Sequence, residues 1–430
     1  MHSMKIQNID KLAQTAARQA ALMIAEAGLR AIDTPNVIRS QVRLTGGYIF
    51  IGREKYELRR VGDIIFIGVG KCALEAGRTI EEILGARLTA GVAVDVKPGN
   101  LSRIRSYAGT HPLPSAENIQ AAADIVRLLQ GRKAADLIIF AISGGGSTLL
   151  CLPEDLGCEE EKAVFQTLTQ AGAAIQEINT VRKHLSLARG GYLAKYAYPA
   201  QVVSLIFSDV PGDNIQFVAS GPTVKDATTI QDAEAILQKY DVLKKCGLAK
   251  CGLVETPKDD KYFARGRVIL AASGGTALRA MAAKAAELGY AVEIRQDQLT
   301  GEARAAAQKV ANDLRQAPPR RAILWSGETT VELKGRGRGG RNTELALSAL
   351  PLLQADELVL ALASDGRDNG EAAGALADLR TAAKSADLRL DAHKYLEDNN
   401  GYPFFEQARD QILTGHTGSN VADLLIALKS

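Results

Sequence analysis

The length, composition and charge of the chain exclude several protein classes. Its 430 residues are too many for one ordinary hydrophobic core and suit two domains. The 46% apolar and 23% charged residues are typical of a soluble globular protein, and a net charge of +3 gives no reason to expect a nucleic-acid partner. No segment approaches the roughly 20 apolar residues of a membrane span, and no signal peptide is expected at the start. We therefore expect a cytoplasmic protein with no membrane partner.

The first elements of the chain are a helix and a short β segment. Apolar residues recur at intervals of three and four from Ile9 to Ile24, which predicts an amphipathic helix. A strand or hairpin is expected in residues 43–58. This helix could pack on either of the two domains.

From residue 63 onward, short apolar runs, breaks of Gly, Ser or Asp, and helical stretches follow one another repeatedly. The runs are DIIFIGVG, AGVAVDV, LIIFAIS, VVSLIFS, RVILAAS, AILWS and LVLALAS. This alternation predicts buried parallel strands joined by right-handed crossovers. We therefore expect an α/β protein with two three-layer α/β/α domains and Rossmann-like, mainly parallel sheets. The polar stretch 244–266 interrupts the pattern, so we predict domains at 1–264 and 265–430 with a cleft between them.

Serine ends five of the apolar runs, and Gly or Asp follows each time. The five are Ser143, Ser208, Ser273, Ser326 and Ser364. In open α/β sheets, ligands bind outside the carboxyl ends of the strands. We therefore expect these ends to form one rim of a ligand cleft.

The run that ends at Ser143 leads into the glycine-rich sequence SGGGST. Its glycines would let the backbone approach an anion closely, and Ser147 could bind phosphate or cap the next helix. A tight turn with a serine cap explains the same residues, because such clusters are common turn chemistry. The candidate phosphate-binding residues are Ser143, Gly144, Gly145, Gly146 and Ser147.

The sequence GVGKCALEAG at 68–77 supports two hypotheses. Gly68, Gly70 and Ala73 match the G-x-G-x-x-A pattern of a dinucleotide site, and Asp95 ends the next strand, where the ribose-binding acid would lie. Lys71 favours another role. A cation at a helix start opposes the helix dipole, so we expect its charge to face a phosphate or a carboxylate.

The sequence VELKGRGRGGRNTELAL at 331–347 carries three closely spaced arginines. Their mutual repulsion favours an anion partner, either as a polyphosphate cradle or as an arginine clamp, over a plain basic hairpin loop. Asn342 is expected to cap the following helix, with Glu344 in its first turn.

Two further turns place aspartates after predicted strands. Asp209 and Asp213 could bind Mg²⁺ or accept a proton, and Asp365 and Asp368 form a second pair that could do the same. Local Asx turns explain all four equally well. In NTVRKHLS (179–186), we favour a solvated basic turn over a ligand site.

Taken together, several of these stretches resemble the type 2 glycerate kinases, whose C-terminal domain is called MOFRL. The stretches are SGGGSTLL, NTVRKHLSLARGGYLA, SDVPGDNIQFVASGPTV, SGETTVELKGRGRGGRNTELAL and ILTGHTGSNVADLLIAL. The resemblance implies ATP-dependent, Mg²⁺-dependent phosphorylation of D-glycerate at its 2-hydroxyl. Position by position, it implies catalytic roles for Lys71 and Arg341. One segment departs from the family pattern D-G-x-D-G-P-T-D-A-A-G-A, because this chain reads DGRDNGEAAGA from Asp365.

The resemblance and the motifs together predict a set of site residues. ATP phosphates are expected on the Gly-rich strand ends and Mg²⁺ near Asp209 or Asp213, with Asp209 accepting the hydroxyl proton. The remaining candidates are Gly339, Gly340, Asn342 and Glu328 for the nucleotide, and Lys71, Arg341, Asp365 and, as a lesser candidate, Arg182 for the substrate. A homodimer is left open. The alternatives are an NAD(P)-dependent reductase of hydroxypyruvate or tartronate semialdehyde, or a non-catalytic sugar-acid-binding protein.

Overall fold

The computed structural model describes residues 4–154, 157–249, 251–295 and 299–430, and it divides into two compact units. One unit is Thr34–Ala271, and the other combines the residues up to Asp33 with Ala272–Ser430. We call them the N-terminal unit and the C-terminal unit. Their boundary differs from the predicted 264/265 because the strand at Gly266–Ala272 joins the sheet of the N-terminal unit. No helix in the described ranges is both long enough and apolar enough to cross a membrane.

The helices are distributed along the whole chain. They are α1 (Ile9–Leu12), α2 (Ala16–Ala31), α3 (Thr34–Gln41), α4 (Ala73–Leu84), α5 (Ala116–Leu129), α6 (Gly146–Leu149), α7 (Cys158–Gln170), α8 (Ile175–His184), α9 (Tyr192–Ala197), α10 (Ile230–Lys239), α11 (Val242–Cys246), α12 (Gly274–Glu287), α13 (Ala303–Gln316), α14 (Arg341–Ala349), α15 (Leu379–Asp387), α16 (Ala392–Glu397) and α17 (Gly401–Ala408).

The strands form two six-stranded sheets, a three-stranded sheet (β1-β2-β3) and a two-stranded sheet (β11-β13). They are β1 (Val42–Thr45), β2 (Tyr48–Ile51), β3 (Glu54–Glu57), β4 (Ile64–Val69), β5 (Ala90–Asp95), β6 (Ile104–Ala108), β7 (Leu137–Ile142), β8 (Gln201–Phe207), β9 (Gly266–Ala272), β10 (Ala291–Ile294), β11 (Gly301–Glu302), β12 (Arg321–Gly327), β13 (Thr329–Thr330), β14 (Glu357–Leu362), β15 (Gly374–Asp378), β16 (Gln411–Ile412) and β17 (Asp423–Lys429).

The large sheet of the N-terminal unit is the predicted α/β core. Its order is β6-β5-β4-β7-β8-β9, and the pairings from β6 to β8 are parallel. Every residue of β4 and β7 is buried, as expected for strands covered on both faces. Val69 pairs with Ile142, and Ile142 pairs with Ile206, so the carboxyl ends of β4, β7 and β8 meet at one edge. The α/β prediction is confirmed.

The large sheet of the C-terminal unit is mixed and mostly antiparallel, so it departs from the mainly parallel sheet expected for this domain. Its order is β10-β12-β17-β14-β15-β16, and only β10 and β12 pair in parallel among the described strands. The run RVILAAS, which we had placed in this domain, forms β9 of the other sheet. An apolar run indicates burial but not strand direction. The antiparallel β17 consequently brings Asp423, at its start, beside Gly327 at the end of β12.

The N-terminal helix α2 belongs to the C-terminal unit. It packs against α12 so closely that a Cβ on Gly28 would lie 2.7 Å from Met281 Cγ. Arg18 is fully buried and donates to Asp378 and Asp410, each at 2.7 Å. The amphipathic helix was predicted, and this buried ion pair fixes where it packs.

Candidate active site

Two turns at the carboxyl edge of the N-terminal sheet hold each other in place. We call residues 68–72 the lysine loop and residues 143–147 the glycine loop. The amide of Lys71 donates to the carbonyl of Gly144 at 3.1 Å, and the amide of Cys72 donates to the hydroxyl of Ser143 at 3.2 Å. The predicted Lys71 and the predicted glycine loop are therefore brought together.

Glycine is required where the two loops touch. Gly70 has φ +110°, and a Cβ there would overlap the Ser143 hydroxyl. Gly145 has φ +81°, and a Cβ there would lie 3.4 Å from the His111 ring and 3.5 Å from Lys71 Cγ. The first part of the Lys71 side chain therefore lies beside Gly145 and His111.

The acid of the dinucleotide hypothesis has a structural role. The Asp95 carboxylate accepts from the amides of Leu74, at 3.0 Å, and Val96, at 2.7 Å, and only 1% of the residue is exposed. Burial raises the pKa of Asp95 against the effect of those hydrogen bonds. Asp95 caps the start of α4, which opposes its assignment as a ribose ligand.

The second half of the glycine loop joins a buried polar chain. The Ser147 and Ser220 hydroxyls lie 2.9 Å apart, and Ser220 donates to Asn179 at 3.1 Å. Ser220 has φ +58° and Ala219 has φ +51°, a left-handed pair that is unusual for residues other than glycine and often marks functional sites. Sequence reasoning missed Ser220, and its only signal was the sequence ASGPT.

The sequence NTVRKHLS is not the solvated turn that we favoured, because most of it lies on α8. Lys183 and His184 are buried, and Lys183 donates to Asp226 at 2.9 Å. Arg182 lies on the same helix and donates to the Thr148 hydroxyl at 3.0 Å. The error arose because a run of basic residues gives no sign of the buried carboxylate that pairs with one of them.

The two aspartates predicted to bind a metal follow β8. Asp209 and Asp213 are both half-buried, and Asp213 has φ +53° in the turn that it ends. Burial raises the pKa of the Cys72 thiol to about 12, and the charges of Asp95 and Asp209 add to this shift. Across the described ranges, no group of three or more His, Cys, Asp or Glu side chains could hold a metal ion.

In the C-terminal unit, Arg341 lies in a clamp of two carboxylates. Its Nε and Nη2 both donate to Asp423, with the Nη2 bond at 2.9 Å, and Nη2 also donates to Glu328 at 2.9 Å. Burial opposes the charge, but the hydrogen bond and charge of Asp423 outweigh it and raise the pKa of Arg341. Glu328 was predicted to bind nucleotide, and the structure shows it as a partner of Arg341.

Most backbone amides of the arginine loop, residues 334–341, have acceptors from within the chain. Asn399 Oδ1 accepts from the amides of Lys334, at 2.6 Å, and Gly335, at 3.0 Å. The amide of Arg338 donates to Asn400, and that of Gly340 donates to Thr343. Side chains of residues 398–400 therefore bind much of this loop, which leaves fewer amides for the polyphosphate cradle considered from the sequence.

A buried carboxylate also occupies the start of α14. Asp368 accepts from the amides of Asn342, at 2.9 Å, and Thr343, at 2.8 Å, and burial raises its pKa. Asn342 was expected to be the cap, but it lies inside the helix and donates its side-chain amide to Asp368 and Asp423. A Cβ on Gly340 would overlap the Asp368 carboxylate, which explains that glycine.

Comparison with known proteins identifies the family. A family model described as a domain of unknown function (DUF4147) matches residues 20–249, and one described as the MOFRL family matches residues 321–423. A protein named glycerate 2-kinase from Pyrococcus horikoshii is 35% identical over 96% of this chain and 97% of its own length. This chain belongs to the type 2 glycerate kinase family. The resemblance seen in the sequence is confirmed.

Other relatives include a protein named as a glycerate kinase and one named as a hydroxypyruvate reductase, which are the two activities considered from the sequence. A crystal structure of a glycerate kinase from Thermotoga maritima superposes with a TM-score of 0.81 at 30% identity, covering 96% of this chain and 99% of that one. A relative from Agrobacterium vitis named putative hydroxypyruvate reductase is 38% identical over 84% of this chain and 86% of its own length. The fold is shared across the type 2 glycerate kinases, so the chemistry must be argued from the side chains.

The segment that departs from the family pattern forms a turn with local side-chain hydrogen bonds. Asn369 follows Asp368 in this segment. Its φ is +55°, a conformation that Asn tolerates better than most residues, and its side chain donates to the carbonyl of Gly339 at 3.1 Å. Asp365, the predicted substrate ligand, accepts from the Arg367 amide at 2.9 Å in an Asx turn. Two side chains of this segment therefore bind nearby backbone, one within the turn and one on the arginine loop.

The residue of the C-terminal site that sequence reasoning missed most completely is Asp423. It begins β17 within NVADLL, a stretch that reads only as the start of a strand. Its contact with Arg341 depends on the antiparallel direction of β17, which no sequence pattern indicated.

Proposed function

We propose that this protein transfers the γ-phosphoryl group of ATP, in the presence of Mg²⁺, to the 2-hydroxyl of D-glycerate. Phosphorylation of glycerate follows from membership of the glycerate kinase family. The donor, the metal ion and the position of the hydroxyl are our proposal. The products would be 2-phosphoglycerate and ADP.

The observation that carries this proposal is the orientation of Arg341. Asp423 and Glu328 bind its Nε and Nη2, and Nη1 has no hydrogen-bond partner among the residues that the structure describes. About a third of the side chain is exposed. A guanidinium fixed along one edge and open along the other is a preorganised cation for a phosphoryl group or a carboxylate.

Lys71 is the proposed catalytic cation of the N-terminal unit. The aliphatic stem of Lys71 lies beside Gly145, in the glycine loop. We propose that this loop binds the ATP phosphates. Its proposed ligands are Ser143, Gly144, Gly145, Gly146 and Ser147. Phosphoryl transfer needs little covalent chemistry from a protein but does need positioned positive charge. In the C-terminal unit, Gly339, Gly340, Asn342, Glu328 and Asp365 remain proposed ligands of nucleotide or substrate.

The two aspartates after β8 fit a Mg²⁺ ion that takes most of its ligands from nucleotide phosphates and water. Mg²⁺ commonly takes one or two protein carboxylates and fills its other positions with phosphates and water, so Asp213 or Asp209 could hold it without a third acidic ligand. Bound there, the ion would neutralise charge on the β and γ phosphates.

We assign proton removal to Asp209. The 2-hydroxyl oxygen forms a bond to the γ phosphorus, the bond from that phosphorus to the bridging oxygen breaks, and ADP leaves. The hydroxyl proton passes to the Asp209 carboxylate. Asp213 is then the preferred metal ligand.

The test is a coupled ADP-release assay with Mg-ATP and D-glycerate on the wild type, Lys71→Ala and Arg341→Ala. We expect kcat/KM to fall by on the order of 10³-fold or more in each variant, because each removes a cation that stabilises the transition state. Arg87→Ala, which removes an exposed cation from the N-terminal unit, should behave as the wild type. Phosphorus NMR of the product should show the 2-phosphate.

The opposing results are equally clear. Glycerate-independent ADP release, a 3-phosphate product or full activity in Lys71→Ala would contradict the proposal. Consumption of NADH with hydroxypyruvate, and no ADP, would establish the reductase alternative.

A further inference from the structure

Arg182 is a half-buried cation for which the described part of the chain provides no carboxylate partner. Its Nη2 donates to the Thr148 hydroxyl at 3.0 Å, and its guanidinium lies over the Phe165 ring at 4.2 Å. Its Nε is buried without a hydrogen-bond partner. A hydroxyl and an aromatic face orient the guanidinium, but neither neutralises its charge.

The buried carboxylate of Glu161 binds a second arginine, which itself contacts Arg182. Glu161 accepts from Arg189 at 2.6 Å and from the Cys151 thiol at 3.1 Å. Arg189 is fully buried and also donates to the carbonyl of Arg182 at 3.1 Å. Arg189 therefore pairs with Glu161, whereas Arg182 beside it forms no ion pair with a described carboxylate, which leaves a local excess of positive charge.

The surroundings disfavour the charge on Arg182 in the absence of a ligand. Burial, and then the charge of Arg189, lowers the pKa of Arg182 to about 10, so the group is still charged at neutral pH but at an energetic cost. An anion that bound there would relieve this cost.

The position of Arg182 connects it with the glycine loop. Thr148 directly follows that loop, and its hydroxyl donates to the Pro112 carbonyl while it accepts from Arg182, so the hydroxyl and the guanidinium fix each other. We propose that Arg182 binds an oxyanion beside the glycine loop, either a phosphate that ATP and ADP have in common or the carboxylate of glycerate. This inference rests on the proposed function for the identity of the two ligands.

The test measures binding directly, with ADP and D-glycerate as separate probes in titration calorimetry, on the full-length wild type and Arg182→Gln. We expect the Kd of one probe to rise about 10- to 100-fold, as for the loss of a charge-assisted hydrogen bond. A rise for ADP identifies a phosphate as the ligand, and a rise for glycerate identifies the carboxylate. Arg127→Gln removes an exposed arginine of the same unit and should leave both values unchanged.

Further measurements separate binding from folding and from catalysis. Arg182→Lys keeps the charge without the planar fork and should fold even if Arg182→Gln does not, with a rise in Kd of about 3- to 10-fold. Unchanged Kd values for both probes in a folded variant would overturn the proposal, whether or not the melting temperature falls. A wild type that binds a probe through Arg182 but releases no ADP would refute the proposed function and leave this site intact.

Discussion

The lysine loop and the arginine loop look alike in sequence but are held in different ways. In the lysine loop, glycines allow two backbone turns to touch, and Ser143 accepts from one of them. In the arginine loop, glycines allow the backbone to approach the side chains of Asp398 and Asp368. A glycine-rich, basic sequence therefore does not by itself indicate a vacant phosphate cradle, because the anions can come from the chain itself.

The lysine loop and the arginine loop also share a feature that their sequences do not reveal. Each leads into a helix whose first amides donate to a buried carboxylate, Asp95 for α4 and Asp368 for α14. Asp95 ends β5, the strand beside β4, and Asp368 lies in the turn between β14 and β15. Carboxylates clamp the side chain of Arg341, and the stem of Lys71 lies beside Gly145.

The largest expected effect concerns the packing of the lysine loop. Gly70→Ala should lower the free energy of unfolding by roughly 4 kcal/mol, because the methyl group overlaps Ser143 and φ is +110°. Gly145→Ala is the matched control, since a methyl group there meets only ordinary contacts, and it should cost about 1–2 kcal/mol. Urea unfolding measures both, and equal costs would contradict the close packing of the two loops.

The next effect concerns the clamp in the C-terminal unit. Asp423→Asn should reduce kcat/KM about 100-fold, or roughly 2.7 kcal/mol, because Arg341 loses the charge that holds two of its nitrogens. Steady-state kinetics measure it, and Asp387→Asn, at an exposed position of the same unit, is the control. Unchanged kinetics would mean that Glu328 alone can orient Arg341.

A smaller effect is expected where side chains hold the arginine loop. Asn399→Gly keeps the positive φ but removes the acceptor of two loop amides, and should cost about 2 kcal/mol of stability. Thermal unfolding measures it. Asn369→Gly, also at positive φ but exposed, should change little. If the two variants behaved alike, the loop would not depend on its side-chain acceptors.

The smallest effect tests the feature that the loops share. Burial raises the pKa of Asp95 in the folded protein above the value of about 3.9 that an aspartate has in the unfolded chain. Below that value the side chain is protonated in both states and the folded state loses no stability. As the pH rises through the folded-state pKa, the buried group must ionise, and the folded state loses stability. The stability of the wild type relative to Asp95→Asn should therefore fall as the pH is raised from about 4. Urea midpoints measured across pH give this difference, and a rising difference would contradict a desolvated carboxylate.

The site could be predicted from sequence to the extent that its residues are local in the chain. Lys71, the glycine loop and Arg341 could be proposed as site residues because glycine, serine and basic residues follow apolar runs at strand ends. Asp423 was not found, Asp95 was considered only as the acid of the dinucleotide alternative, and Asn342 was expected to be a helix cap. The partners of these three residues lie far away in sequence or on another strand.

Sequence alone determined the α/β class, the buried strands, the amphipathic first helix and the family. These follow from the periodicity of apolar residues and from continuous motifs, both of which are local properties. Only the tertiary structure decided that β17 is antiparallel, that α2 packs in the C-terminal unit and that carboxylates occupy the arginine loop. Strand direction and ion pairing depend on which distant segments become neighbours, and a hydrophobic pattern specifies burial without naming the neighbour.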